Sequence, residues 1–297
     1  MSGMKSGDIH LIGVASGLGA SDSGCALGPL FLRAARTDRA LARAGVAADW
    51  ARPLFADPRP SRSAALADLH KRIARRLEAT LRRGDFPVVL GGDHSVAVGT
   101  WRGVAAAGGE IGLLWIDAHM DSHTPLTTPS GNAHGMPLAS LLGDGGALAP
   151  EHVALIGIRS YEIEEAKLLE SLGVRVFAIE EVQARGFDVV LDEALAIVAR
   201  ARDGFGVSLD VDAIDPRDAP GTGTPVERGL ASADVLDGMS RIGAMPNLLA
   251  MEIVEYNPLR DSDRQTARLV EALLVRLLQS RHDAQIRANA SHVAEAH

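Results

Sequence analysis

The segment Ile111-Gly-Leu-Leu-Trp-Ile-Asp117-Ala-His119-Met-Asp121 constrains this chain more than any other. Its apolar run is short, follows Gly108-Gly109 and lacks the alternation of a half-exposed strand, so it reads as a parallel strand buried on both faces. Asp117 then stands at the strand's carboxyl end. Because extended backbone repeats every two residues, Asp117, His119 and Asp121 project to one side. Any one of them is an ordinary turn residue, but together they aim two carboxylates and an imidazole at one point.

The same arrangement recurs. Val207-Ser-Leu-Asp210-Val-Asp212 places two carboxylates, spaced by two, at the end of another apolar segment, and Val88-Val-Leu-Gly-Gly-Asp-His94 puts a histidine just past a third. Like charges directed at one place raise each other's pKa, and a cation is the natural remedy. Four carboxylates and two neutral imidazoles (His94, Asp117, His119, Asp121, Asp210, Asp212) balance two divalent cations in formal charge. The oxygen-rich mixture favours Mn2+-like ions over a thiolate zinc site. Two such ions about 3.5–4 Å apart can share and deprotonate one water.

Composition narrows the class. A chain of 297 residues carrying a net charge of −8 has no basic excess that would point to nucleic acid or an anionic membrane. The arginines at 72, 75, 76, 82 and 83 read as a solvated helix face rather than an RNA site. Every apolar run is far shorter than the roughly 20 residues that span a bilayer. The single Cys25 excludes an intramolecular disulfide and is compatible with a reducing compartment, so cytoplasm is the expectation.

Taken in order, the chain alternates strand and helix. Strands are expected at Asp8–Val14, before Gly91, at 111–116, Val153–Ile158, Val174–Ile179, before Asp210 and at Leu248–Val254. Helices are expected from about Pro29, over Ser63–Arg83, Val96–Ala107, Glu162–Ser171, Val189–Ala201 and Asp263–Leu278, with a Pro-rich loop at Arg52–Ser63. This predicts one α/β domain over 1–297, a three-layer α/β/α with a mainly parallel central sheet, and a flexible polar tail over 282–297. The glycines at 17, 19, 24 and 28 lack the spacing of a phosphate or dinucleotide loop.

The motifs Gly91-Gly-Asp-His94-Ser, Asp117-Ala-His119-Met-Asp121, Thr124-Pro-Leu-Thr-Thr-Pro-Ser130-Gly-Asn132-Ala-His134-Gly, Ser208-Leu-Asp210-Val-Asp212, Gly221-Thr-Gly-Thr224-Pro and Glu255-Tyr-Asn-Pro258 resemble, in order and across most of the chain, those of the ureohydrolases, and within them most nearly the arginase branch. The resemblance implies the arginase/deacetylase-like fold and two Mn2+ per subunit. His94, Asp117, Asp121 and Asp210 would hold one ion, and His119, Asp121, Asp210 and Asp212 the other. It implies hydrolysis of the L-arginine guanidinium to urea and L-ornithine by a metal-bridged hydroxide, in a homo-oligomeric trimer or hexamer.

By the same resemblance His134 shuttles the proton, Glu255 pairs with the guanidinium with Thr224 assisting, and Ser130 and Asn132 donate to the α-carboxylate. His123 departs from the asparagine most familiar at its position, and Glu162 falls where many arginases carry an aspartate for the α-ammonium. The alternative is a sister ureohydrolase acting on agmatine, 4-guanidinobutyrate or formiminoglutamate. A related-fold deacetylase fits less well, because both metal sites and the Ser-Gly-Asn-Ala-His loop are complete. No missing ligand supports a non-catalytic homologue.

Overall fold

The computed structural model describes residues 7–57, 59 and 61–295. Among these the strands are β1 (Ile9–Ala15), β2 (Ala48–Trp50), β3 (Leu54–Phe55), β4 (Phe86–Leu90), β5 (Gly112–Ile116), β6 (Val153–Ile158), β7 (Arg175–Ala178), β8 (Phe205–Asp210) and β9 (Leu248–Val254). The helices are α1 (Gly28–Ala34), α2 (Thr37–Arg43), α3 (Arg62–Arg82), α4 (Ala97–Gly108), α5 (Pro137–Leu142), α6 (Ile163–Leu172), α7 (Ile179–Arg185), α8 (Phe187–Val198), α9 (Ser232–Gly243) and α10 (Gln265–Glu295).

All strand pairings are parallel, in the order β2-β1-β4-β9-β8-β5-β6-β7, with β3 continuing the β2 edge of β1. Alternate residues of each strand feed opposite layers. Leu113 and Trp115 pack with Leu69, Ile73 and Leu77 of α3, Trp101 of α4 and Leu141 of α5. Leu114 and Ile116 pack with Val190 of α8, Met239 of α9 and Leu273 of α10. A sheet buried on both faces explains why its strands read as unbroken apolar runs.

The first layer is tight because α4 carries glycine where it crosses α3. A Cβ at Gly103 would lie 2.5 Å from the Ala74 carbonyl oxygen. Ser61 starts α3 by accepting from Ala64 N at 3.1 Å, and the buried Leu66, Leu69, Ile73 and Leu77 recur at helical spacing.

Three features differ from the sequence expectation. The single helix expected from Pro29 is two, because Arg36 takes φ 65° between α1 and α2. Leu54–Phe55, inside the expected loop, pairs with β1, while residues 58 and 60 of that loop lie outside the described residues. The expected tail from 282 is a continuation of α10, whose Ala-rich turns have high helix propensity, through Glu295; residues 296 and 297 lie outside the described residues. None of the described helices is long and apolar enough to cross a membrane.

Candidate metal centre

The sheet order makes distant motifs neighbours. The strands β4, β9, β8 and β5 are adjacent, and His94, Glu255, Asp210 with Asp212, and Asp117 to Asp121 follow their respective carboxyl ends. This is where open α/β sheets bind ligands. Gly92 lets the β4 exit pass against β1's exit, since a Cβ there would lie 1.8 Å from the Ser16 carbonyl oxygen. Asp121 and Glu255 take left-handed φ of 49° and 62°, backbone conformations that cost energy outside glycine and cluster at functional sites.

His94 Nδ1 lies 3.1 Å from Asp117 Oδ2, 3.1 Å from Asp121 Oδ2 and 3.2 Å from Asp210 Oδ2. It makes an aligned hydrogen bond with none of them. Donor atoms crowded around a common point, rather than paired, are what a cation collects. On the other side of Asp117, His119 Nδ1 lies 3.5 Å from Asp117 Oδ1 and 3.3 Å from Asp212 Oδ2. Among the described residues three groups could hold a metal ion: His94 with Asp117 and Asp121, Asp117 with His119 and Asp212, and, at the rim, His123 with Glu162 and Glu165. The set expected around His94 therefore converges in full. Around His119, Asp117 stands nearest together with Asp212, in place of Asp121 and Asp210.

The charges confirm the fit to cations. Burial, then the charges of Asp212 and Asp117, hold Asp210 well above the usual carboxylate range. Burial, then Asp117, pushes Asp121 up to about 6. Burial opposes protonation of His94, yet Asp117, Asp121 and Asp210 outweigh it and raise the imidazole well above 6.5. Burial likewise opposes protonation of His119, but Asp212 and Asp117 carry it to about 12. Burial raises Asp117 too, but His119 and His94 overcome it and hold it low. Both imidazoles are raised by the surrounding aspartates, and divalent ions held by the same residues would take over that compensating charge.

Neighbouring groups orient the ligands. Ser208 Oγ donates to Glu252 Oε2 at 2.9 Å, so at 3.0 Å it accepts from His94 Nε2, which leaves the Nδ1 lone pair for the cluster. Trp115 stacks on His94 at 4.1 Å between ring centroids and donates to Asp117 Oδ2 at 2.9 Å. Asp210 Oδ1 accepts from Asp212 N at 2.9 Å, and Thr224 Oγ1 donates to Asp212 Oδ2 at 2.9 Å. Arg159 reaches the carbonyls of Asp212, Ala213, Val226 and Glu227 and ties the Thr224 loop to the centre.

Sequence reasoning missed Trp115, Ser208, Glu252 and Arg159. Ser208 and Glu252 are register partners across β8 and β9, and Ser208 is opposite Trp115 on β5. A glutamate inside an otherwise apolar strand was the available signal, since such a group is buried only with partners.

Beside the cluster, His134 Nδ1 is 3.1 Å from Glu255 Oε1, which also accepts from His94 N at 2.9 Å. Burial opposes protonation of His134, but Glu255 overcomes it and pushes the ring to about 9. At the rim, His123 Nε2 is 2.9 Å from Glu162 Oε2 and 3.5 Å from Glu165 Oε2. Glu165 Oε2 also accepts from Glu162 N at 3.0 Å, at the start of α6, and Glu165 is a rim acid that sequence reasoning missed. Ser130 and Asn132 stay on the outer loop, joined by an Asn132 N to Ser130 Oγ bond of 3.2 Å.

A three-layer parallel α/β sheet with clustered aspartates and histidines at its carboxyl edge forms a candidate metal centre where such sheets take ligands. The chain belongs to the arginase family, whose model matches residues 7–279. It is 37% identical over 287 residues to the arginase of Bacillus caldovelox, covering 90% of this chain and 96% of that one. The crystal structure of the Bacillus subtilis arginase superposes with a TM-score of 0.85 at 33% identity, covering 91% of this chain and 98% of that one. The proclavaminate amidino hydrolase of Streptomyces clavuligerus superposes with a TM-score of 0.77 at 26% identity, over 93% and 92% of the two chains. The protein is thus a hydrolase acting on a guanidino group.

Proposed function

We propose that the chain is a dinuclear manganese arginase that hydrolyses L-arginine to urea and L-ornithine. The observation that carries this reading is the buried cluster itself, in which His94 Nδ1 lies 3.1 Å from Asp117, 3.1 Å from Asp121 and 3.2 Å from Asp210, beside His119 Nδ1 at 3.3 Å from Asp212. In this reading His94, Asp117, Asp121 and Asp210 would hold one Mn2+, and His119, Asp121, Asp210 and Asp212 would hold the other. A bound metal pair supplies a nucleophile from water at neutral pH and positive charge at the reacting centre.

The remaining steps fall to side chains. Glu255 pairs with the planar guanidinium, which suits bidentate contact with a carboxylate. Thr224 holds Asp212 through the bond described above. His134, gripped at Nδ1 by Glu255, delivers its proton to the departing amine. Ser130 and Asn132, with His123, donate to the α-carboxylate, and Glu162 meets the α-ammonium.

A second reading keeps the machinery and changes the substrate. His123 already occupies Glu162 at 2.9 Å, which lowers the negative charge offered to an ammonium and favours a 4-guanidinobutyrate-like compound. Turnover of Mn2+-loaded enzyme on L-arginine, agmatine, 4-guanidinobutyrate and formiminoglutamate separates the two. Preference for L-arginine upholds the first, preference for a compound without an α-ammonium upholds the second, and exclusive formamide release points to the formimino substrate. The reading also includes a cytoplasmic homo-oligomer, a trimer or hexamer, which light scattering of the purified protein measures.

A further inference from the structure

A second cavity, of about 610 Å3, lies outside the metal centre between α3, α4 and α5, and the loop from His123 to Met136 forms one wall. Its size suits a small molecule. The floor is apolar, built from Leu66, Ala74, Val98, Met136 and Ala139. Its charged groups have one sign. Lys71 and Arg102 line it as cations, and among the described residues neither meets a carboxylate; Arg102 reaches only the carbonyl and hydroxyl of Ser140, both at 3.3 Å. His70 also lines it, and the Nε2 of that ring is buried with no hydrogen-bond partner. Burial, then the Arg102 charge, lowers the His70 pKa to about 4, so the ring adds no charge to those of Lys71 and Arg102 at neutral pH.

We infer that this cavity binds a small organic carboxylate with an apolar body, its anionic end at Lys71 and Arg102 and its chain over Leu66, Val98 and Met136. The cations supply charge for the carboxylate, and the floor takes the chain. An occupant touches His123 and Thr124, whose loop carries the rim of the metal centre.

The probe is hexanoate, with 1-hexanol and hexylamine as the same body without the anion, added to the full chain and followed by titration calorimetry and amide exchange. Hexanoate is expected to bind saturably at one site per chain, at least tenfold tighter than either control, and to slow exchange across residues 123–136. Arg102→Gln and Lys71→Gln should each weaken hexanoate tenfold or more and leave hexanol unchanged. Ala67→Trp, which fills the cavity from an exposed helix position, should abolish binding of both should the charge variants fold poorly. Absence of hexanoate binding, equal affinity for hexanol, or binding that Ala67→Trp does not disturb would overturn the inference. None of these readouts depends on which guanidino compound the enzyme cleaves.

Discussion

Nε2 of His94 lies 3.0 Å from Oγ of Ser208, which passes its own proton toward Glu252. The pair fixes the imidazole tautomer, so that Nδ1 faces Asp117, Asp121 and Asp210 as a lone pair once a metal replaces the proton. Partners of this kind are worth about 10–100-fold in metal affinity. Ser208→Ala is therefore expected to weaken Mn2+ binding by about that factor, measured by titration calorimetry, while leaving the stoichiometry at saturation unchanged. Unaltered affinity would remove Ser208 from the account.

Asp117 belongs to the His94 group and also accepts from His119 N at 2.7 Å, so its loss should damage both groups. Asp117→Ala is expected to drop the bound Mn2+ well below two per chain by elemental analysis, where Asp212→Ala spares the His94 group. Chelation of the wild type should lower Tm, and added Mn2+ should restore it in proportion to the logarithm of its concentration.

His134 and Glu255 set a pH dependence that the metal-free protein can report. The folded His134 pKa is raised to about 9 from an ordinary 6.5. The ion pair's stabilisation is therefore complete below about 6.5 and is lost as pH rises through about 9. The Tm difference between metal-free wild type and His134→Ala should be largest near pH 6 and close to zero near pH 10. In the loaded enzyme the same substitution should lower kcat by about 10²–10⁴-fold, the usual worth of a positioned acid.

At Gly103 two effects oppose. Gly103→Ala gains up to about 1 kcal/mol of helix propensity in α4. The new methyl lies 2.5 Å from Ala74 O and 2.7 Å from Ala74 Cα, and backbone cannot step aside as a flexible side chain can. Overpacking at about 1–3 kcal/mol should win. Urea denaturation should show a lower midpoint with an unchanged slope.

Much of this was legible in the sequence because burial on both faces writes a parallel strand as an apolar run, and polar residues at its carboxyl end stand out. That contrast marked Asp117, Asp121, Asp210 and Asp212. It could not mark Glu252 or Ser208, whose role depends on β8 lying beside β9, a pairing between segments far apart in the chain. Nor could it foresee that Asp117 approaches both histidines, which depends on side-chain direction after β5. The break at Arg36 was hidden because its left-handed φ follows no glycine signal. The helix beyond Leu278 was hidden because its apolar stripe stops: Leu277 and Leu278 are the last buried core residues, and Ile286 is exposed.

The central claim is that two metal ions and their shared aspartates turn a guanidinium into urea. Metal-free enzyme titrated with Mn2+ and assayed for urea release from L-arginine tests it most directly, with bound metal measured in the same samples. The account predicts no release without metal, a rate that climbs to a plateau at two Mn2+ per chain, and no plateau above background for Asp121→Ala. Urea release independent of bound metal, or an Asp121→Ala enzyme as active as the wild type, would contradict it.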